Sequence, residues 1–173
     1  PHGVVIVGGD TSAAAAGWCI DVTLLGEHAG TPKLRSAARP GDLVAVTGTL
    51  GRSAAGLALL EGGEPARAGV AADAVAELTR AHLRPCARVA EGRWLGEQAA
   101  VHAMMDMSDG LASDLAHICR ESGVRARVHL DRLPLSPAVR AAARAPDRDP
   151  PDWAAAGGGG YGPLLPRPGG APP

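Results

Sequence analysis

The stretch AMMDMSDGLASDL, Ala103 to Leu115, constrains this chain most, because it sets acidic residues where a strand pattern gives way to a helix pattern. Asp106, Ser108 and Asp109 follow an apolar run, and Leu111, Leu115 and Ile118 come after them at helical spacing. The junction predicts a strand over 102–106 and a helix over 110–122, with Gly123 as its stop. Such a junction suits Mg²⁺ and phosphate: the metal takes oxygen ligands, and a helix N-terminus offers free backbone N–H groups to an anion. The same residues also fit a plainer role, in which Ser108 or Asp109 only caps the helix.

A second acidic turn shifts the balance toward nucleotide chemistry. GVVIVGGDT runs from the apolar residues Val4 to Val7 into Gly8, Gly9, Asp10 and Thr11. Two glycines let the backbone approach a ligand closely, and Asp10 would stand at the carboxyl end of a strand. By itself Gly-Gly-Asp is an ordinary turn. Paired with DMSDG, it makes two strand-end carboxylate sites in one small protein.

The remaining pattern alternates strands with helices. Strands are expected at 4–7, 18–25, 42–47, 102–106 and 124–130, and helices at 52–61, 70–82, 86–99, 110–122 and 136–144. Gly48 to Gly51 reads as a tight Gly-Thr turn, and Gly62 to Pro65 as a loop. The turn lacks the Lys and spacing of a P-loop. Met104 and Met105 fall on opposite faces of their strand, so at least one is core packing. Strands interleaved with helices imply a layered α/β or α+β unit.

Composition mostly excludes. Formal net charge is −1, from 17 basic and 18 acidic residues, which gives no basic field for nucleic acid and no polybasic membrane patch. Cys19, Cys86 and Cys119 are widely spaced without C-x-x-C, and the six histidines show no zinc-binding spacing. No apolar run approaches the ~20 residues of a membrane helix, so a cytoplasmic protein is expected. Phenylalanine is absent, so the core must be built from Ala, Val and Leu. Arg125, Arg127 and Arg132 read as a solvated strand face.

In order along the chain, GGDT, LRSAARPGDLVAVTGTLG, HLRP, AMMDMSDGLASDL and LPLS resemble the thiamine-monophosphate kinase family. That family belongs to the ATP-binding superfamily of aminoimidazole ribonucleotide synthetase and selenophosphate synthetase. The resemblance covers about residues 3–165 and is most specific at Asp-Met-Ser-Asp-Gly. It implies an α+β (layered α/β) fold like that of aminoimidazole ribonucleotide synthetase. Residues 1–30 would end an N-terminal ATP/Mg-binding domain, 31–40 would be a linker, and 41–165 most of a C-terminal domain. The Pro/Gly-rich end, 166–173, reads as a flexible tail.

The resemblance also implies roles. Gly9, Asp10, Arg35 and Ser108 would contact ATP, and Asp10, Asp106 and Asp109 would hold Mg²⁺. The chemistry implied is transfer of the γ-phosphoryl of ATP to thiamine monophosphate, giving thiamine diphosphate. Positioning and metal ions suffice for it, so no residue is assigned as catalytic. Full-length members are homodimeric, so a homodimer is expected of the family.

Departures qualify this. The family's G-G-E-D-Y-E-L segment aligns with Gly157 to Pro163, where Gly159, Gly160 and Gly162 replace the acids, the first of them a substrate contact. The family's G-D-D-A, S-T-D and S-D-x-x-A-M-G segments do not occur before Gly8, and the chain starts at Pro1. A partial chain is therefore expected, impaired as a kinase by itself. The alternative is a catalytically incomplete, nucleotide-binding remnant of the same superfamily.

Overall fold

A strand must pair its N–H and C=O groups with a neighbour, and this requirement decides what the apolar runs become. The computed structural model of the chain describes residues 3–27, 30–143, 150–156 and 164–168. It divides into two units, residues 1–31 and 32–173. In the described part of the first unit no helix or strand forms, contrary to the strands expected at 4–7 and 18–25. Ile6, Val7 and Trp18 are 90% or more exposed. Without a ladder partner or a face to bury, alternation alone does not make a strand.

The second unit holds the regular structure. β1 (Asp42–Val46) leads through the Gly-Thr turn into α1 (Arg52–Glu61). Then follow α2 (Gly63–Arg67), α3 (Ala72–Leu83), α4 (Val89–Glu97) and α5 (Leu111–Ser122). After a 3₁₀ turn at Leu130–Arg132 come α6 (Pro137–Ala142), α7 (Pro150–Ala156) and β2 (Leu164–Pro168). β2 runs antiparallel to β1, with Asp42 opposite Pro168 and Val46 opposite Leu164. The class is α+β.

Several expectations are corrected. Residues 62–65 are not all loop. Gly62 N–H still donates to Ala58 O, and the chain re-enters helix as α2. Pro65 stands in the first turn of α2, where its missing N–H costs nothing. Arg67 Nε donates to Leu59 O and ties α2 back onto α1. Residues 102–106 form no strand, and of these five only Met105 carries a bridge. Residues 124–129 form no strand, although Arg125 and Arg127 are exposed as expected. Pro166 to Pro168, expected in a flexible tail, lie in β2, which among the described residues pairs with β1 alone, an edge position that tolerates proline.

Two clusters carry most of the core. Ala55 and Leu59 of α1 pack with Ala74 and Leu78 of α3, Val139 of α6 and Trp153 of α7. The helices α1 and α3 touch at Gly56, where an added Cβ would overlap the Leu78 carbonyl. The second cluster sets Leu111, Leu115 and Ile118 of α5 against Leu50, Ala103, Met107 and Leu133. β1 lies between α4 and α5: Ala45 packs with Leu95 of α4, and Val46 packs against the α5 cluster. Met104 faces the first of these groups and Met105 the second, as their alternation predicts.

Candidate functional site

Alternate residues of the 101–107 segment turn inward, with Val101, Ala103 and Met107 buried. Met107 anchors the acidic turn to the α5 core, so its neighbours must face out. Asp106, Ser108 and Asp109 are all exposed. The turn then needs a backbone conformation open only to glycine, and Gly110 supplies it at φ 116° and ψ 158°. The structure thus collects Asp106, Ser108 and Asp109 on one exposed turn at the start of α5. The Ser108 hydroxyl lies 3.4 Å from Asp109 Oδ1.

Neither Ser108 nor Asp109 caps the helix; the N-cap is Gly110, with no side-chain cap bond. The free N–H groups expected at the turn are also not free. Asp114, 2% exposed, places Oδ2 at 3.0 Å from Ser108 N and 3.2 Å from both Asp109 N and Gly110 N. The backbone forms an anion cradle, and the chain's own carboxylate occupies it. The N–H groups of 108–110 are thus taken, and the exposed groups left on the turn are the side chains of Asp106, Ser108 and Asp109.

The sequence pattern singles out the two exposed acids and not Asp114, whose donors come together only in the folded turn. The signal was present as an acidic residue four positions after the helix-opening Gly110, on the same stripe as Leu111, Leu115 and Ile118. A carboxylate in the first turn of an apolar face must find donors, and the nearest are the loop amides behind it.

The other expected contacts lie elsewhere. Arg35 opens a 3₁₀ turn at the opposite end of α5, about 17 Å along the axis from Leu111 at the helical rise. Its guanidinium is 3.7 Å from Glu121 with both side chains exposed. Ser122 at the end of α5 donates to Arg35 O at 2.6 Å and accepts from Ala38 N at 3.1 Å, which fixes this segment. Gly9 and Asp10 belong to the first unit, where Asp10 Oδ1 accepts from Thr11 N at 2.8 Å. Gly159 lies outside the described residues.

Mg²⁺ asks for oxygen donors and accepts one or two carboxylates with water and phosphate completing the shell. Asp106 and Asp109 fit as part of such a shell. Among the described residues no group of three His, Cys, Asp or Glu side chains converges to hold a metal unaided.

A cavity of about 600 Å³ opens beside the turn, reaching Met107. Thr47, Thr49 and Arg52 line one side, and Arg80, Arg84 and Arg88 another. Gly48, at φ 84°, sits under the Arg88 guanidinium, which would collide with a Cβ there. Arg88 pairs with Glu91 at 2.9 Å. The Glu91 carboxyl is held below its usual value chiefly by a backbone N–H, and further by Arg88. No helix among the described residues is long and apolar enough to cross a membrane.

Comparison with known proteins adds family evidence. The family model for AIR synthase related protein, C-terminal domain, matches residues 39–151. A thiamine-monophosphate kinase of Salmonella typhimurium is 42% identical over 161 residues, covering 90% of this chain and 46% of the relative. One from Mycobacterium tuberculosis is 41% identical over 158 residues, covering 90% of this chain and 44% of the relative. Among solved structures, AaThiL complexed with AMPPCP and TMP superposes with a TM-score of 0.68 at 36% identity, over 78% of this chain and 41% of that one. The thiamine monophosphate kinase of Aquifex aeolicus gives 0.69 at 35% identity, over 79% and 44%. The chain spans less than half the length of these relatives.

Proposed function

The chain belongs to the AIR synthase related proteins, whose C-terminal domain it carries over residues 39–151, and on that premise we propose that it works in a Mg²⁺-dependent kinase transferring the γ-phosphoryl of ATP to thiamine monophosphate. The similarity to thiamine-monophosphate kinases over nine-tenths of the chain supports this acceptor. The ligands of AaThiL, AMPPCP and TMP, support a nucleoside triphosphate as donor. One structural observation carries the reading: two exposed carboxylates, Asp106 and Asp109, stand on a turn whose amides are already taken by Asp114.

The residues divide the work as follows. Asp106 and Asp109 hold Mg²⁺ at the exposed turn, and Ser108 donates its hydroxyl to the nucleotide. Mg²⁺, when bound, would neutralise charge on the transferring phosphate. In the first unit, the resemblance makes Gly9 and Asp10 nucleotide contacts and Asp10 a metal ligand. Arg35, whose ion pair with Glu121 is exposed, meets the nucleotide. A terminal phosphate oxygen of thiamine monophosphate attacks the γ-phosphorus in line, its bond to the ADP oxygen breaks, and no enzyme-bound phosphate forms. Residues 1–30 would end an N-terminal ATP/Mg-binding domain, 31–40 link, and 41–165 form most of the C-terminal domain. The full enzyme is a cytoplasmic homodimer.

A specific observation favours one other reading. Gly159, Gly160 and Gly162 stand where the resemblance places acids, one of them a substrate contact, which suits a protein that binds nucleotide without transferring phosphate. Incubating the full enzyme with ATP, Mg²⁺ and thiamine monophosphate, and weighing the products by mass spectrometry, separates the two. Thiamine diphosphate that disappears in Asp106→Asn supports the kinase. Nucleotide binding without thiamine diphosphate supports the second reading.

A further inference from the structure

We infer that Asp114 is the positioning residue of the acidic turn: it holds the backbone of 108–110 so that Asp106 and Asp109 present their carboxylates together to a divalent cation. The inference rests on the proposed metal role of those two residues and adds the group that makes the role possible.

Three observations support it. Asp114 is one of the most deeply buried side chains of the molecule, and a buried carboxylate persists only where donors compensate its lost hydration. Its Oδ2 alone meets three successive amides, at 3.0, 3.2 and 3.2 Å. Such charge-assisted bonds to backbone N–H are stronger than neutral ones. Asp114 itself is fixed from behind, since its amide donates to Gly110 O at 3.0 Å and it lies between the buried Leu111 and Leu115. Gly110 at φ 116° gives the loop a conformation that it would not otherwise favour. Remove the carboxylate and three amides lose their common acceptor just where the two metal-facing residues must keep register.

The negative charge of Asp114 has a second effect. It fills the cradle that a phosphate would otherwise enter, so an anion at this turn is left the Ser108 hydroxyl and a cation on Asp106 and Asp109.

The test uses the full chain with Mn²⁺ as probe. Mn²⁺ affinity is read from paramagnetic broadening of the Ser108, Asp109 and Gly110 amide signals, and hydrogen exchange of the same amides is followed in parallel. In Asp114→Ala the three amides should exchange at least about tenfold faster, and Mn²⁺ should bind about 10–100-fold more weakly, the range seen when an outer partner of a metal ligand is lost. Asp114→Asn, which keeps shape and an acceptor oxygen, should recover part of both; if the alanine variant does not fold, this variant must still show the weaker binding. Mn²⁺ affinity within about twofold of native in the folded variants, amides as protected as in the native chain, or no Mn²⁺ binding by the native chain would each overturn the inference. None of these readouts depends on turnover, so failure to make thiamine diphosphate counts against the reaction and not against Asp114.

Discussion

His102 Nδ1 donates to Asp42 across 3.0 Å to one carboxylate oxygen and 3.1 Å to the other, joining β1 to the segment that runs into the acidic turn. Asp42 Oδ2 also accepts from Arg39 N at 2.9 Å. The Asp42 side chain is 6% exposed and that of His102 15%, so the pair works largely out of water. A carboxylate only accepts, which fixes the proton on the Nδ1 side of the ring. The pair aligns two segments that each carry part of the core next to the site.

Replacing His102 by Ala should therefore lower stability by about 1–3 kcal/mol, the cost of leaving a buried acceptor short of a donor. Chemical denaturation of native and variant chains measures it. His102→Asn, with a donor on a shorter side chain, should recover only part of the loss. An alanine variant as stable as the native chain would show that the pair contributes nothing.

Gly56 makes a sharper steric prediction. Its missing side chain lets α1 approach the Leu78 carbonyl of α3, and an added methyl group has nowhere to go. Gly56→Ala should destabilise by about 1–3 kcal/mol despite the better helix propensity of alanine. Gly92, in α4 with open space at its Cβ position, is the control, and Gly92→Ala should be neutral or stabilising.

Around Arg35 two neighbours should behave differently. Ser122→Ala removes both the bond to Arg35 O and the acceptor for Ala38 N, at an expected cost of about 1–2 kcal/mol. Glu121→Gln breaks an exposed 3.7 Å ion pair and should change stability by no more than about 0.5 kcal/mol. Thermal melts of the two variants side by side decide this, and equal losses would contradict it.

At the site, Asp106→Asn and Asp109→Asn should leave the melting temperature within a few degrees of native, because both side chains are exposed. Divalent-ion affinity should fall by at least the roughly 10–100-fold seen when even an outer partner is lost. Asp114→Asn should differ from both by lowering stability as well. Titration with Mn²⁺ and a thermal melt on each variant make the comparison.

Helices were legible where an apolar stripe met a terminator. Leu111, Leu115 and Ile118 followed by Gly123 give α5 almost to the residue, and Gly123 takes the left-handed conformation that ends it at φ 65°. Strands were not legible to the same degree. Val4 to Val7 and Trp18 to Leu25 have the right residues, but a strand is a property of a pair, and the described residues supply no partner. α2 was hidden by Gly62, Gly63 and Pro65, which signal a turn until Arg67 is seen bonded to Leu59 O. For the site, Asp106, Ser108 and Asp109 were visible because acids interrupt an apolar run. Asp114 was not, because its meaning lies in three amides that only the folded turn brings to it.

The central claim, that the acidic turn meets its nucleotide through a cation, is tested most directly by titrating the chain calorimetrically with AMPPCP, with Mg²⁺ and with EDTA. The account predicts binding that requires Mg²⁺ and weakens at least about tenfold in Asp106→Asn. Binding of equal strength in EDTA, or undiminished in Asp106→Asn, would contradict it.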